Sequence, residues 1–278
     1  MELTDVSKTA IGTLRSRVIE SGKNRPLISD PMAEYFLDEF YSRITGSEQE
    51  QIFTRKLSPK LTLHIAIRAR KYDAIVNDFI SKHPGCRVIN LGCGFDTRYW
   101  RIHPQDCEYI ELDLPEVIEI KKEILKDKLS YELIGCSVLD TSWIEKVTAK
   151  KNRNILLIAE GLFMYLNKDD VIRLFKTFSN TLLDSQIVLE VVTEKYTRGL
   201  WKKIVELKMK KELGLEAGSF YNFGIKNARE LETYGKGIKV INEWSYFEDP
   251  DIRPRIYKYL GLTRTQWTVT ASINEKSS

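Results

Sequence analysis

The stretch Arg87-Val88-Ile89-Asn90-Leu91-Gly92-Cys93-Gly94-Phe95-Asp96-Thr97 decides the fold. Its first five residues form a short apolar run that stops at a glycine turn, the signature of a buried strand entering a tight loop. Four similar runs follow at residues 109–112, 131–134, 154–159 and 186–191, and helical stretches such as 115–126 and 169–182 lie between them. Strands that alternate with helices require crossover connections, which are right-handed and build a parallel sheet. The expected fold class is therefore α/β, with a Rossmann-like and mostly parallel sheet.

On the amino-terminal side of this stretch, apolar residues recur at helical spacing over 5–20 and 31–40, with Asp30 as cap and Pro31 at the first helical position. A third helix is expected over 60–80, with Leu61, Ile65, Tyr72, Val76 and Phe79 on or near one face. On the other side, residues 238–241 and 265–271 read as strands that complete the same sheet, with a shorter helix over 252–260 between them. One domain of 1–278 results: helices over 1–83, a core over 84–194, an insertion over 195–235 and carboxyl-terminal strands over 236–278.

The totals set outer limits on function. The 278 residues are 42% hydrophobic and 29% charged, ordinary for a folded globular protein and outside the disordered range. With 43 basic and 39 acidic residues, the net charge of +4 is too balanced to indicate a nucleic-acid partner. No run has the length and apolarity of a membrane span, and residues 1–5 do not start a secretory signal, so a cytoplasmic protein without a membrane partner is expected. Cys86, Cys93, Cys107 and Cys136 stand singly, with no C-x-x-C pair. Neither a zinc site nor a disulfide framework is expected.

In an open parallel sheet, ligands bind beyond the carboxyl ends of the strands, and the turn after the first strand is the natural cradle. Gly92 and Gly94 let the backbone approach a ligand there. Glu111 and Asp113 follow about 20 residues later, at the spacing where a carboxylate accepts ribose hydroxyls. Dinucleotide binding asks for a third glycine where this chain has Thr97. Its absence favours an adenosine cofactor without phosphates, and S-adenosylmethionine fits that description.

Five segments, in order, carry a resemblance: Leu27-Ile28-Ser29-Asp30-Pro31-Met32-Ala33, Arg68-Ala69-Arg70-Lys71-Tyr72-Asp73, the glycine turn running into Thr97-Arg98-Tyr99-Trp100, Glu111-Leu112-Asp113-Leu114-Pro115, and Ile158-Ala159-Glu160-Gly161-Leu162-Phe163-Met164-Tyr165-Leu166. Over nearly its whole length the chain resembles the leucine carboxyl methyltransferase family, including its bacterial polyketide O-methyltransferase branch. The resemblance implies a class I S-adenosylmethionine-dependent enzyme that releases S-adenosylhomocysteine. By the same resemblance, Arg68 holds the methionine carboxylate, a task suited to a permanently charged planar fork. Gly92 and Gly94 line the methionine part, Asp113 takes the ribose hydroxyls in preference to Glu111, and Val138 and Leu139 flank adenine. Relatives often carry aspartate where Ser137 stands, and Asp140 is either its replacement or a helix cap. Glu160 is either a cofactor or active-site residue or a buried partner of Arg68, because a carboxylate in so apolar a run is costly unless paired.

The expected reaction is methyl transfer to a carboxylate or hydroxyl oxygen of a small molecule. A methyl already activated on sulfonium needs mainly an in-line nucleophile held in a dry site, so a general base is optional. His64, His83 and His103 are the histidines available for that role, and each reads as a surface or packing residue; no catalytic residue and no metal ligand is assigned. In the insertion, Leu200, Ile204 and Leu207 share a helix face while Lys202, Lys203, Glu206 and Lys210 point elsewhere, a pattern expected of a lid packed on a core or of a solvated basic face. Tyr196, Trp201, Phe220, Tyr221 and Phe223 are candidates for an aromatic acceptor pocket or for core packing. Two competing readings are a methyltransferase acting on a protein's carboxyl terminus and a catalytically idle adenosyl-binding regulator. The oligomeric state is open.

Overall fold

The computed structural model of the chain describes residues 5–149, 154–213, 221–259 and 266–274. Strands β1 (Cys86–Leu91), β2 (Cys107–Asp113), β3 (Glu132–Gly135), β4 (Ile155–Ala159), β5 (Ser185–Val192), β6 (Ile238–Trp244) and β7 (Gln266–Ile273) form one sheet in the order β3-β2-β1-β4-β5-β7-β6. The first five pair in parallel, and β7 runs antiparallel between β5 and β6. The order reverses between β1 and β4, which puts the topological switch point, where open sheets bind ligands, beside the glycine turn.

Period-two alternation sorts the strand side chains into two layers. Ile89, Leu91, Ile110, Leu112, Leu157, Ile187 and Leu189 face one side, where they meet Trp143 of α7 (Ser142–Thr148) and Val171, Phe175 and Phe178 of α8 (Lys168–Thr181). Val88, Tyr109, Leu156, Ile158 and Val188 face the other side, where Tyr72, Val76 and Phe79 of α4 (Pro59–Lys82) cover them. Glu190 shares the parity of Val188 and therefore looks toward α4. That alternation, set by sequence, brings a β5 carboxylate to a helix that precedes the sheet.

The amino-terminal helices α1 (Asp5–Ser21) and α2 (Pro31–Arg43) pack Ile11, Leu14, Phe36 and Phe40 around Phe95 and the apolar face of α6 (Pro115–Leu125). As the sequence predicts, Asp30 caps α2, accepting the N–H of Ala33 at 3.1 Å, with Pro31 in the first turn. A further helix, α3 (Gly46–Thr54), has no strong apolar periodicity in its sequence and was not expected. Between β6 and β7 the expected helix is instead a short 3-10 turn, Arg255–Tyr259, while Leu260 and Thr265 lie outside the described residues.

Of the two readings of the insertion helix, a lid packed on the core through its leucine face is the one that the structure does not show. Helix α9 (Gly199–Leu213) does not pack its Leu200, Ile204 and Leu207 face on the core: these side chains are 72%, 46% and 70% exposed. The inward contact comes from Val205, which packs against Met164, Val192 and Tyr221, and from Lys202, which donates to Asn222 Oδ1. Position on the helix, not apolarity, decides which face meets the body. Gly214, Gly218 and Phe220 lie outside the described residues, and nothing is assigned to the Lys210 side chain. Among the described residues no helix is long and apolar enough to cross a membrane.

Candidate active site

Gly92 and Gly94 both adopt left-handed backbone, with φ of 61° and 49°, in the turn leaving β1. The two glycines serve different ends. A Cβ on Gly92 would lie 2.7 Å from Leu162 Cδ1, so this glycine lets the turn after β1 nest against the segment after β4. At Gly94 the nearest group is Ala10 at 3.5 Å, and the turn there aims the N–H at Asp113 Oδ2, 2.6 Å away.

Asp113 ends β2 and is 8% exposed. Its Oδ1 accepts the N–H of Leu114 at 2.7 Å, so each oxygen holds one backbone donor and keeps acceptor capacity for a hydroxyl. Burial pushes its carboxyl above the usual aspartate range even though the Gly94 and Leu114 amides favour the charged form. Glu111 is engaged by other residues. It lies one strand repeat further in on the same face of β2, fully buried, paired with Lys121 of α6 at 2.5 Å and accepting the Tyr131 hydroxyl at 3.0 Å.

Arg68, on α4, lies between two carboxylates. Its Nε donates to Glu160 Oε1 at 2.7 Å and its Nη1 to Glu190 Oε2 at 3.0 Å. Nη2 makes no hydrogen bond among the described residues, and the side chain is 14% exposed. One edge of the fork is thus fixed and the other is available to a carboxylate ligand. Glu160 is the buried partner that the sequence allowed for, and it also receives Arg98 Nη2 at 2.5 Å. Burial pulls the Glu160 carboxyl upward, but Arg68 and Arg98 outweigh that and hold it below the ordinary range; in Glu190 burial dominates and pushes the carboxyl upward, although Arg68 and the Gly161 N–H favour its charged form.

These residues belong to a larger buried ionic chain. Arg98 also pairs with Asp73 and Asp96, Arg101 with Asp30, Asp73 and Asp96, and Arg17 with Asp30. Thr97, where a dinucleotide fold has glycine, donates its hydroxyl to Asp30 at 2.7 Å, so that position anchors the turn to α2. Glu190, Arg98 and Asp96 were not singled out from sequence. The signal for Glu190 was the same as for Glu160, a lone acid in an apolar strand.

Beyond β3, Val138 is 7% exposed and faces the core, its carbonyl accepting Trp143 Nε1 at 3.2 Å, while Leu139 is 37% exposed. Leu114, after β2, is 39% exposed as well. Ser137 Oγ accepts the Leu139 N–H at 3.2 Å, and Asp140 accepts the Ser142 N–H at 3.1 Å, so Asp140 holds the first amide of α7 from the position before its cap residue, Thr141.

Of the three histidines, His83 ends α4 and His103 ends α5 (Arg98–Ile102), both at the sheet edge opposite the glycine turn. His64 lies one helical turn before Arg68 and stacks on Tyr246 at 3.9 Å between ring centroids. Among the proposed acceptor aromatics, Tyr221 packs with Tyr165, 6.1 Å between centroids, beside Met164 and Val192 at the ends of β4 and β5. Burial pushes the Tyr165 hydroxyl up to about 12. Phe223 sits in the main core against Tyr234, and Tyr196 and Trp201 form an edge-on pair beneath Lys195.

The donor set fits S-adenosylmethionine: a guanidinium edge with no partner among the described residues, an acid at a strand tip with spare acceptor capacity, left-handed glycines in the turn it faces, and exposed leucines after β2 and β3. No group of His, Cys, Asp and Glu among the described residues is arranged to hold a metal ion. The sequence profile of the leucine carboxyl methyltransferase family matches residues 10–179. The tetracenomycin polyketide synthesis O-methyltransferase of Streptomyces glaucescens is 30% identical over 94% of this chain and 91% of its own length. Among solved structures, a DUF574 family protein from Streptomyces avermitilis superposes with a TM-score of 0.52 at 12% identity, covering 94% of this chain and 96% of that one. The magnesium protoporphyrin IX methyltransferase of Synechocystis with bound S-adenosylhomocysteine does so at 0.50 and 11%, covering 87% and 97%; both likenesses concern the fold alone. The chain belongs to the leucine carboxyl methyltransferase family and is an S-adenosylmethionine-dependent methyltransferase.

Proposed function

We propose that this enzyme transfers the donor methyl to an oxygen of a small molecule, carboxylate or hydroxyl, at the mouth between Tyr165, Tyr221 and the Arg68–Glu190 pair. The observation that carries the reading is the end-to-end similarity to a polyketide O-methyltransferase, joined to a site whose every element sits at the carboxyl edge of the sheet. Arg68 Nη2 would take the methionine carboxylate, Asp113 the ribose hydroxyls, and Leu114 and Leu139 the faces of adenine. When bound, the cofactor supplies an electrophilic methyl on a sulfonium.

The chain's own part is to hold the acceptor oxygen in line and to keep water out. Met164, Tyr165, Val192 and Tyr221 give the mouth apolar walls, and Val205 of α9 covers them from the insertion over 195–235. A carboxylate acceptor arrives ionised and needs no base; a phenol needs an acceptor for its proton. A cytoplasmic location, with no nucleic-acid or membrane partner, accords with the mild charge.

A labelled-methyl transfer screen against carboxylic acids, phenols and carboxyl-terminal peptides tests this reading. Product from small acids or phenols is expected. Transfer to peptide termini alone would replace it with the protein carboxyl methyltransferase reading, and donor binding without any transfer would favour the regulator.

A further inference from the structure

The ionic chain that ends at β5 is unequal in charge. Among the described residues it holds four guanidiniums, Arg17, Arg68, Arg98 and Arg101, and five carboxylates, Asp30, Asp73, Asp96, Glu160 and Glu190. Four of these acids each touch two guanidiniums. Asp30 meets Arg17 and Arg101, Asp73 and Asp96 each meet Arg98 and Arg101, and Glu160 meets Arg68 and Arg98. Among the described residues Glu190 pairs with a single guanidinium, Arg68, which it shares with Glu160, and it also accepts the Gly161 N–H, a neutral donor.

The surplus negative charge therefore falls at Glu190. Its side chain is 3% exposed, so water does little to compensate it. A buried carboxylate short of a counter-charge is costly, and isosteric neutral residues would be cheaper there. The same end of the chain is where Arg68 Nη2 makes no hydrogen bond among the described residues and where Glu160 is 16% exposed. A carboxylate in excess of the guanidiniums, next to a partly exposed guanidinium edge, suits a ligand that brings both a carboxylate and positive charge.

We propose that Glu190 is the electrostatic determinant by which the site favours the cationic methyl donor over its uncharged thioether product. The inference rests on the donor-site reading above. S-adenosylmethionine carries a sulfonium, an ammonium and a carboxylate. On transfer the methyl–sulfur bond breaks, its electron pair returns to sulfur, and the acceptor oxygen forms the new bond to carbon, so the sulfonium charge disappears from the site. The attraction of Glu190 for that charge is lost at the same moment, which favours release of product.

The test is calorimetric titration of S-adenosylmethionine, S-adenosylhomocysteine and sinefungin, a cationic but unreactive analogue, into wild type, Glu190→Gln and Glu190→Asp, with folding checked by circular dichroism. Glu190→Gln should weaken the two cationic ligands about tenfold more than S-adenosylhomocysteine, as expected for removing one charge at short range in a medium of reduced dielectric. Glu190→Asp, which keeps the charge, should hold the wild-type ratio within about threefold. Equal weakening of all three ligands in Glu190→Gln overturns the proposal and leaves Glu190 as a brace for Arg68. If Glu190→Gln does not fold, Glu190→Asp decides: a kept ratio supports the proposal and a collapsed one overturns it. Wild type that binds none of the three removes the donor-site reading itself, a result distinct from binding without charge preference.

Discussion

Asp113 accepts the backbone N–H of Gly94 at 2.6 Å, so the tip of β2 and the turn after β1 move as one unit. The bond orients the carboxylate before any ligand arrives, and pre-set acceptors cost little to use. Asp113→Ala should weaken S-adenosylmethionine by about 1.5–3 kcal/mol, the range for hydrogen bonds to a charged group. Because burial raises the Asp113 pKa, donor affinity should be level at neutral pH and fall as pH drops through a value above the ordinary aspartate figure of about 3.9. Calorimetry across pH in wild type and Asp113→Asn checks this: the variant should lack that step.

Removing Arg68 should harm the fold as well as the site. Arg68→Ala leaves Glu160 and Glu190 facing each other with one guanidinium fewer, and breaking a buried pair from one side costs about 3–5 kcal/mol. Arg68→Lys restores the charge without the fork, so it should recover much of the stability and little of the donor affinity. Chemical denaturation and donor titration, run on both variants, separate the two effects.

Asp30 gives a pH-dependent test of the ionic chain. Burial pulls its carboxyl upward, but Arg17, Arg101 and the Thr97 hydroxyl outweigh it and hold the folded pKa below the ordinary value. A depressed carboxyl stabilises above its unfolded pKa of about 3.9, and that contribution is lost as pH falls through the folded value. Asp30→Asn should therefore be clearly less stable than wild type at pH 7, and the gap should close on acidification below about pH 4. A gap that is constant with pH would assign the loss to the cap on α2 alone.

Two glycines should respond differently to alanine. Both Gly92 and Gly237 have left-handed φ, which costs a side-chain-bearing residue about 1–2 kcal/mol. At Gly92 the new Cβ meets the movable end of Leu162, whereas at Gly237 it would lie 2.1 Å from the carbonyl oxygen of Asn274. Thermal melts should show Gly237→Ala as the more damaging change, with Gly92→Ala near the strain value alone.

Much of this arrangement is legible in sequence because its causes are local. The strand at 87–91, the glycine turn, Asp113 at its spacing and Asp30-Pro31 as a helix start each follow from short-range patterning. The choice between Glu111 and Asp113 was open from spacing, and position along the strand separates them: on the same face, Glu111 lies deeper and is held by Lys121, while Asp113 ends the strand beside the glycine turn. Glu190 and Arg98 escaped notice because their partners lie far away in the chain, Glu190 coming 122 positions after Arg68 and Glu160 62 positions after Arg98. The outward apolar face of α9 escaped for a related reason. Periodicity shows that Leu200, Ile204 and Leu207 share a side, but only the tertiary anchor at Val205 fixes which side faces the body.

The central claim is that the turn after β1, the tip of β2 and the α4 guanidinium enclose one molecule of methyl donor. A crystal structure of the chain with S-adenosylhomocysteine tests it most directly. The account predicts ribose hydroxyls on Asp113, the amino-acid carboxylate on Arg68 Nη2 and adenine against Leu114 and Leu139. Density that places the ligand elsewhere, or that leaves Asp113 and Arg68 without contact to it, would contradict the account.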